Sequence, residues 1–300
     1  MHFRIGIDLG GTKTEILALD EKGRELLRER APTPAKNYGE IVSLIAKLVR
    51  EAETNLRASA QSVGVGIPGA ISPATGLIKN ANTTCLIGKR FDHDLEAAVG
   101  RPVHLANDAN CFALSEATDG AGAGHDVVFG VILGTGTGGG VVVRGHVLGG
   151  PNSIAGEWGH NPLPWPLADE LPGPACYCGK NGCIETFLSG PGISRDHQLK
   201  GHAKFTASEL EARAREGDAN AEETLKRYEE RLAKSLASVI NILDPNVIVL
   251  GGGVSNLERL YENVPKIWGK YVFSDEVDTK LVRAKHGDSS GVRGAAWLRA

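Results

Sequence analysis

The sequence predicts an α/β protein built from two similar halves flanking a cleft. Three observations predict it. An order of elements (three strands, helix, strand, helix, strand, helix) runs through the first 118 residues, and a related order begins again near Val127. Each half opens with two short apolar strands around a glycine-rich turn, at Gly10-Gly11 and at Gly134–Gly140. The 39 glycines gather beside strand-like runs and not in low-complexity tracts, as in a chain that brings its backbone close to ligands. The repeat lies in the order of elements, without strong sequence repetition.

In chain order, Phe3–Asp8 is a short apolar strand that breaks at Leu9–Thr14 and resumes as Glu15–Asp20, a hairpin. Glu25–Arg30 reads as a third strand. Tyr38–Leu56 carries Ile41, Leu44, Ile45, Leu48 and Val49 at helical spacing. Val63–Ile67 is a strand entering Pro68-Gly69, Asp94–Val99 a short helix and Val103–Leu105 a strand. Asn107-Asp108 opens the next helix, with residue types suited to an N-cap. The Ala/Gly-rich stretch Gly120–Gly124 reads as a hinge. Val127–Leu133 is a strand, Gly134–Gly140 a turn and Val141–Arg144 a strand. Glu209–Glu216 and Ala221–Leu243 read as helices, the second stopping before Pro245. Asn246–Leu250 is a strand, Gly251-Gly252-Gly253 leads through Ser255 into a helix, and Gly291–Leu298 reads as a short amphipathic helix.

A chain of 300 residues suits one large domain or two ordinary ones and buries a core without help from a metal. Net charge is −3 with no basic block, which argues against nucleic acid or an anionic membrane as a partner. No apolar run approaches the length of a membrane span. Met1-His2-Phe3-Arg4 leads straight into an apolar run containing Asp8, unlike a secretory leader, so a cytoplasmic enzyme is expected.

Three of the five cysteines, Cys176, Cys178 and Cys183, fall within eight residues, and His160 lies sixteen positions before the first. One imidazole and three thiolates complete a tetrahedral structural zinc set with no position left for substrate. A disulfide knot, or small buried residues, would use the same letters, but in a cytosolic chain clustered cysteines read as metal-binding or catalytic, and this spacing favours zinc. Cys85 and Cys111 lie apart and read as core residues. Glu157 and Glu185 each sit within three residues of a proposed ligand, so the expected task of the metal is to hold Glu157, His160 and Glu185 at a small-molecule site.

Asp8, Gly10, Gly11, Thr12 and Lys13 end a strand in a glycine turn whose bare N–H groups suit phosphate oxygens. Asp8 suits a hydrated Mg²⁺. An ordinary hairpin turn reads equally well. Gly134, Thr135 and Gly136 begin a stretch that matches G-x-G-x-x-G, but a strand follows where a dinucleotide fold requires a helix, and no P-loop motif occurs. Two such hairpins suit a clamp on a triphosphate. Gly251, Gly252 and Gly253 suit an adenine ring lying on bare backbone. Asp108 at a helix start suits the base that takes a hydroxyl proton in phosphoryl transfer, although a plain capping pair reads the same way. Asn80 and Asn82 offer amides for sugar hydroxyls.

Together, D-x-G-G-T at Asp8–Thr12, N-D-A-N at Asn107–Asn110, G-T-G-x-G-G-G at Gly134–Gly140, E-W-G-H at Glu157–His160 and C-x-C-G-x-x-G-C-x-E at Cys176–Glu185 resemble the ROK family (repressors, open reading frames, kinases) along essentially the whole chain. The resemblance implies the actin/hexokinase-like (ribonuclease H-like) ATPase fold, with ATP in the cleft. It implies residues 1–118 plus a terminal helix at about 290–300 as the smaller domain and 119–289 as the larger, zinc-bearing one. It implies Asp108 as catalytic base and Asn82, Asn107, Asp108, Glu157, His160 and Glu185 as sugar ligands, with His160 touching sugar and zinc together. Thr12, Thr135 and the glycine turns meet phosphates, and a homodimer is expected.

Lys79–Thr83, Glu157–Trp165, Cys176–Lys180 and His286–Trp297 are further similar to bacterial fructokinases with mannokinase side activity. D-fructose, with mannose beside it, is therefore the expected substrate, with N-acetylglucosamine or glucose as alternatives. A sugar-responsive repressor is the remote alternative, since the chain starts close to its first strand and carries no net positive charge. A polypeptide-handling or filament-forming ATPase would leave the zinc segment and its carboxylates without a role.

Overall fold

Phe3, Ile5, Ile7 and Leu9 are all buried, a period-two set that makes the first strand, β1 (Phe3–Leu9). The computed structural model describes residues 2–287 and 290–298. Asp288 and Ser289 of the His286–Trp297 stretch, and Arg299 and Ala300 of the expected terminal segment, lie outside the described residues.

The chain divides into two units. The first comprises the residues up to Gly124, Gly140–Ala155 and the C-terminal helix; the second comprises His125–Gly139 and Gly156–Gly287. In the first, β1 pairs antiparallel with β2 (Lys13–Asp20), and β2 with β3 (Glu25–Pro32). β4 (Val63–Ile67) runs parallel to β1, and β7 (Val103–Asn107) parallel to β4. The sheet order is β3-β2-β1-β4-β7, and β5 (Ala70–Ile71) and β6 (Ile78–Lys79) form a separate small ribbon. Helices α1 (Tyr38–Leu56), α2 (Phe91–Val99) and α3 (Asp108–Thr118) belong here. The periodic residues Ile41, Ile45, Leu48 and Val49 of α1 join the core, and Asn37 caps the helix by accepting from the Glu40 N–H.

The second sheet has the order β10-β9-β8-β11-β12, from β8 (Val127–Leu133), β9 (Thr137–Val143), β10 (His146–Val147), β11 (Val247–Gly251) and β12 (Lys280–Arg283). β11 runs parallel to both β8 and β12. The helices are α4 (Ile184–Leu188), α5 (Gly190–Leu199), α6 (Ala207–Arg215), α7 (Ala219–Leu243), α8 (Arg259–Trp268) and, back in the first unit, α9 (Ser290–Trp297). α7 ends at Asp244 in left-handed backbone, directly before Pro245.

Three expectations change. The Gly134–Gly140 turn is shorter than its glycines imply, because β9 begins at Thr137. Glycine is needed inside that strand: a Cβ on Gly139 would lie 2.8 Å from the Trp158 ring and 2.9 Å from the Gly156 carbonyl. The terminal helix is buried nearly all round and not amphipathic. It is fixed by Ser290 Oγ donating to Glu116 at 2.8 Å at its start and by Arg293 at its middle, which meets Asp119 and the Gly23 carbonyl. Finally, α4, α5 and β12 escaped the sequence reading. Gly190-Pro191-Gly192 reads as a breaker, yet Pro191 sits in the first turn of α5, where its missing N–H costs nothing, and β12 has only four residues.

α9 reaches its place by backbone contact. A Cβ added at Gly294 would stand 1.6 Å from the Cys111 carbonyl oxygen, and one at Gly64 1.9 Å from that of Ala295. Gly294→Ala therefore forces α9 off α3, and overpacking of this kind costs about 3 kcal/mol. The urea midpoint of the variant falls accordingly, and an unchanged midpoint contradicts the packing described.

Candidate functional site

In the second unit the chain from Gly156 to Cys183 is almost free of regular structure. It has two 3₁₀ turns, Trp158–His160 and Ala168–Glu170, and two isolated bridges, Pro162 with Cys183 and Ala175 with Asn181. The Cys176 N–H donates to Lys180 O at 2.8 Å and the Gly179 N–H to Cys176 O at 3.0 Å, a tight knuckle. It brings ligand atoms of His160, Cys176, Cys178 and Cys183 within 4.8 Å of one another. Cys176 Sγ lies 3.6 Å from His160 Nδ1, and Cys178 Sγ 3.5 Å from Cys183 Sγ. Tetrahedral bonds of about 2.0 Å to nitrogen and about 2.3 Å to sulfur give edges of about 3.6 Å, so the donor set fits zinc in type and in spacing. Burial, and then the neighbouring Cys178 and Cys176 sulfurs, push the Cys183 thiol up to about 12. A dication among the sulfurs reverses that bias.

The Trp158–His160 turn lies against the glycine hairpin. The Trp158 indole donates to Gly138 O at 3.0 Å, and its ring meets Phe129 edge-on, centroids 5.7 Å apart. A Cβ on Gly159 would fall 2.0 Å from the Thr137 carbonyl oxygen. Glu185, in the first turn of α4, accepts the Thr137 N–H at 2.9 Å through Oε2. Glu157 is exposed beside the turn that carries His160. His160 Nε2 lies 2.9 Å from Tyr177 Oη.

At the hairpin, the Gly134 N–H donates to Gly136 O at 2.9 Å, and Gly134 O accepts from the Gly190 N–H at 2.7 Å. Thr135 is exposed at the tip. Gly252 has φ +82°, and a Cβ there would lie 2.5 Å from Leu133 O, so Gly251, Gly252 and Gly253 sit at the same strand ends. The second unit thus assembles Gly134, Thr135, Gly136, the Gly251–Gly253 turn, Glu157, His160, Glu185 and the metal set.

The first unit assembles the remainder. The Gly10 N–H donates to Lys13 O at 3.0 Å, and Gly11, Thr12 and Lys13 are exposed. Asn107 caps α3: its Oδ1 accepts the Ala109 N–H at 2.9 Å, shared with Asp108 Oδ1 at 2.8 Å. Asn107 Nδ2 donates to Gly69 O at 3.3 Å. The Gly69 turn presses on Ala81, where a Cβ would lie 2.9 Å from the amide nitrogen, and Asn82 follows, exposed. Asp108 is open to solvent yet crowded by protein. That crowding pushes its carboxyl up, against the opposing Ala109 N–H. Burial, then the Asp108 and Glu15 carboxylates, push Asp8 up to about 6 despite Lys13. Glu15 is buried, gripped by Arg28 at 2.5 Å and Arg30 at 2.7 Å.

Glu15, Thr137 and Tyr177 of these assemblies were not singled out from sequence. The signal for Glu15 was a charge facing inward on a strand with two arginines on the next. Thr137 contributes only a backbone N–H, which leaves no mark in the sequence.

Two α/β units with matching antiparallel-then-parallel sheets and glycine hairpins at their strand ends are the hexokinase-like class of fold. The chain belongs to the ROK family, whose model matches residues 4–300. It is 42% identical over 297 residues to the N-acetyl-D-glucosamine kinase of Vibrio atlanticus (strain LGP32), with 98% of each chain covered. The ROK hexokinase of Thermus thermophilus is similar in structure at a TM-score of 0.86 and 34% identity, over 98% of this chain and 97% of that one. A ROK family glucokinase from Streptomyces griseus, solved with glucose and AMPPNP, matches at a TM-score of 0.76 and 28% identity, over 98% of both.

The position of Asp8 sets a pH dependence. Its carboxyl rises from 3.8 to about 6 on folding, so the native state favours the protonated form, and stability falls as pH rises from below 4 through 6. Asp8→Asn removes that ionisation. The variant gains on the parent across the same interval, by up to about 3 kcal/mol near pH 8. Urea midpoints near pH 4 and pH 8 read the gain, and a difference that does not change with pH contradicts it.

Proposed function

We propose that the chain is an ATP-dependent kinase of N-acetylglucosamine, with Asp108 as general base. The observation that carries the reading is Asp108 itself: first residue of α3, reachable by solvent, with its carboxyl pushed above the usual carboxylate range by crowding. In this reading Asp108 takes the proton of a sugar hydroxyl as that oxygen forms its bond to phosphorus. Phosphoryl transfer asks for little else than positioning and charge stabilisation. Asn82, Asn107, Glu157, His160 and Glu185 bind the sugar. Gly10, Gly11, Thr12, Lys13, Gly134, Thr135 and Gly136 meet phosphates, and Gly251–Gly253 the adenine.

Asp8 would hold hydrated Mg²⁺. A carboxyl raised by two neighbouring carboxylates is one that a divalent cation relieves. His160, Cys176, Cys178 and Cys183 would hold a structural zinc, which supplies shape and no chemistry. The five cysteines are all unpaired, in keeping with the cytoplasm, and a homodimer completes the reading.

The choice of sugar departs from the fructose expected above. The Vibrio atlanticus relative, which matches over 98% of both chains, is named for N-acetyl-D-glucosamine. The motifs that pointed to fructose are shared in part by that subgroup. Hexose discrimination turns on one or two hydrogen bonds, so motif letters outside those contacts do not choose among sugars.

A coupled assay across N-acetylglucosamine, glucose, mannose and fructose tests the substrate. N-acetylglucosamine gives the highest kcat/KM; a higher value for fructose overturns this choice while leaving the kinase reading in place. Asp108→Asn keeps sugar binding and loses about 10³-fold in kcat. Near-normal turnover in that variant contradicts the assignment of the base.

A further inference from the structure

His160 is the one proposed sugar ligand that also belongs to the metal set, and its two ring nitrogens face different partners. Nδ1 lies 3.6 Å from Cys176 Sγ, on the side of the cysteines. Nε2 lies 2.9 Å from the Tyr177 hydroxyl. A neutral imidazole that gives Nδ1 to a metal keeps its proton on Nε2, so Nε2–H donates and Tyr177 Oη accepts. That nitrogen has a single proton to give.

Tyr177 is 83% exposed. Its ring meets His160 edge-on, centroids 5.1 Å apart and planes at 86°. Among the described contacts, the hydroxyl and this ring edge are what hold it over the imidazole. An exposed tyrosine with two side-chain torsions swings away at small cost.

We propose that Tyr177 is a stand-in for the sugar: its hydroxyl occupies His160 Nε2 in the sugar-free protein and yields that donor to a sugar hydroxyl oxygen on binding. The inference rests on the reading of His160 as a sugar ligand. A sugar hydroxyl presents the same group as the tyrosine, an sp³ or phenolic oxygen with a lone pair for one N–H. The placeholder keeps the imidazole oriented and its donor satisfied while the site is empty, and sugar binding then exchanges one hydrogen bond for another. Tyr177 in this role tunes affinity and is not a catalytic residue.

Removing the competing hydroxyl makes sugar binding tighter. The net worth of one hydrogen bond sets the gain at about two- to tenfold. Calorimetric titration of N-acetylglucosamine without nucleotide reads the dissociation constant directly, on the metal-loaded protein. Tyr177→Phe keeps the ring edge and loses the hydroxyl, so its Kd falls by that factor. Tyr177→Ala, which removes both, shows at least the same fall. Zinc content equal to the parent's shows that the knuckle is intact in each. A Kd that stays the same or rises in Tyr177→Phe overturns the proposal, and a rise identifies Tyr177 as a direct sugar contact. A parent protein that binds none of the four hexoses overturns the sugar-kinase reading itself, and the placeholder with it, so the two failures are told apart.

Discussion

Four side-chain atoms that converge within 4.8 Å set the shape of everything around them. From Gly156 to Cys183 the chain has two single turns and two bridges for secondary structure. Its fully or nearly buried apolar side chains are few: Trp158, Leu163, Cys176 and Cys183. Ordering a backbone costs about 1–2 kcal/mol per residue, and so small a core offsets little of that. Elsewhere the segment is tied by Arg231 to Glu170 at 2.6 Å and by Lys234 to the Trp165 carbonyl at 3.0 Å. Both ties act on its middle. Its two ends, carrying His160 and Cys183, meet at the Pro162–Cys183 bridge and through the Leu163 N–H to Gly182 O at 2.9 Å and the Ile184 N–H to Asn161 O at 2.8 Å, and the proposed metal would join them there.

The residues flanking the ligand set also meet the hairpin. Gly159 touches the Thr137 backbone, Trp158 donates to Gly138, and Glu185 accepts from Thr137. The turn that carries His160, the Glu185 carboxylate and the Gly134–Thr137 hairpin are therefore one packed body within the second unit. Cys183 lies two residues before Glu185, whose carboxylate accepts the Thr137 N–H. No flexible linker intervenes, since each contact is to backbone that the sheet already fixes.

Much of the fold was legible because its signals are local. The burial of Ile41, Ile45, Leu48 and Val49 follows from spacing alone, Asn107 announces the start of α3, and Asp244-Pro245 the end of α7. The convergence of His160 with the three cysteines was legible because thiol chemistry in that spacing has few other uses. Illegible features depend on distant partners. Gly139 is strand and not turn because of Trp158. Glu185 meets an amide 48 residues away. α9 is buried on most sides because glycine and alanine let backbone touch backbone, a fit that no periodicity records. Tyr177 stands between two cysteines, and only coordinates put its hydroxyl on His160.

The account stands on the metal set as the organiser of the segment, and amide hydrogen exchange of the zinc-loaded and chelator-stripped protein tests it most directly. The account predicts one zinc per chain before stripping. After stripping it predicts faster exchange across Gly156–Cys183 and at the Thr137 amide, with α1 protected as before. A protein that carries no zinc when purified, or a segment equally protected with and without it, contradicts the account.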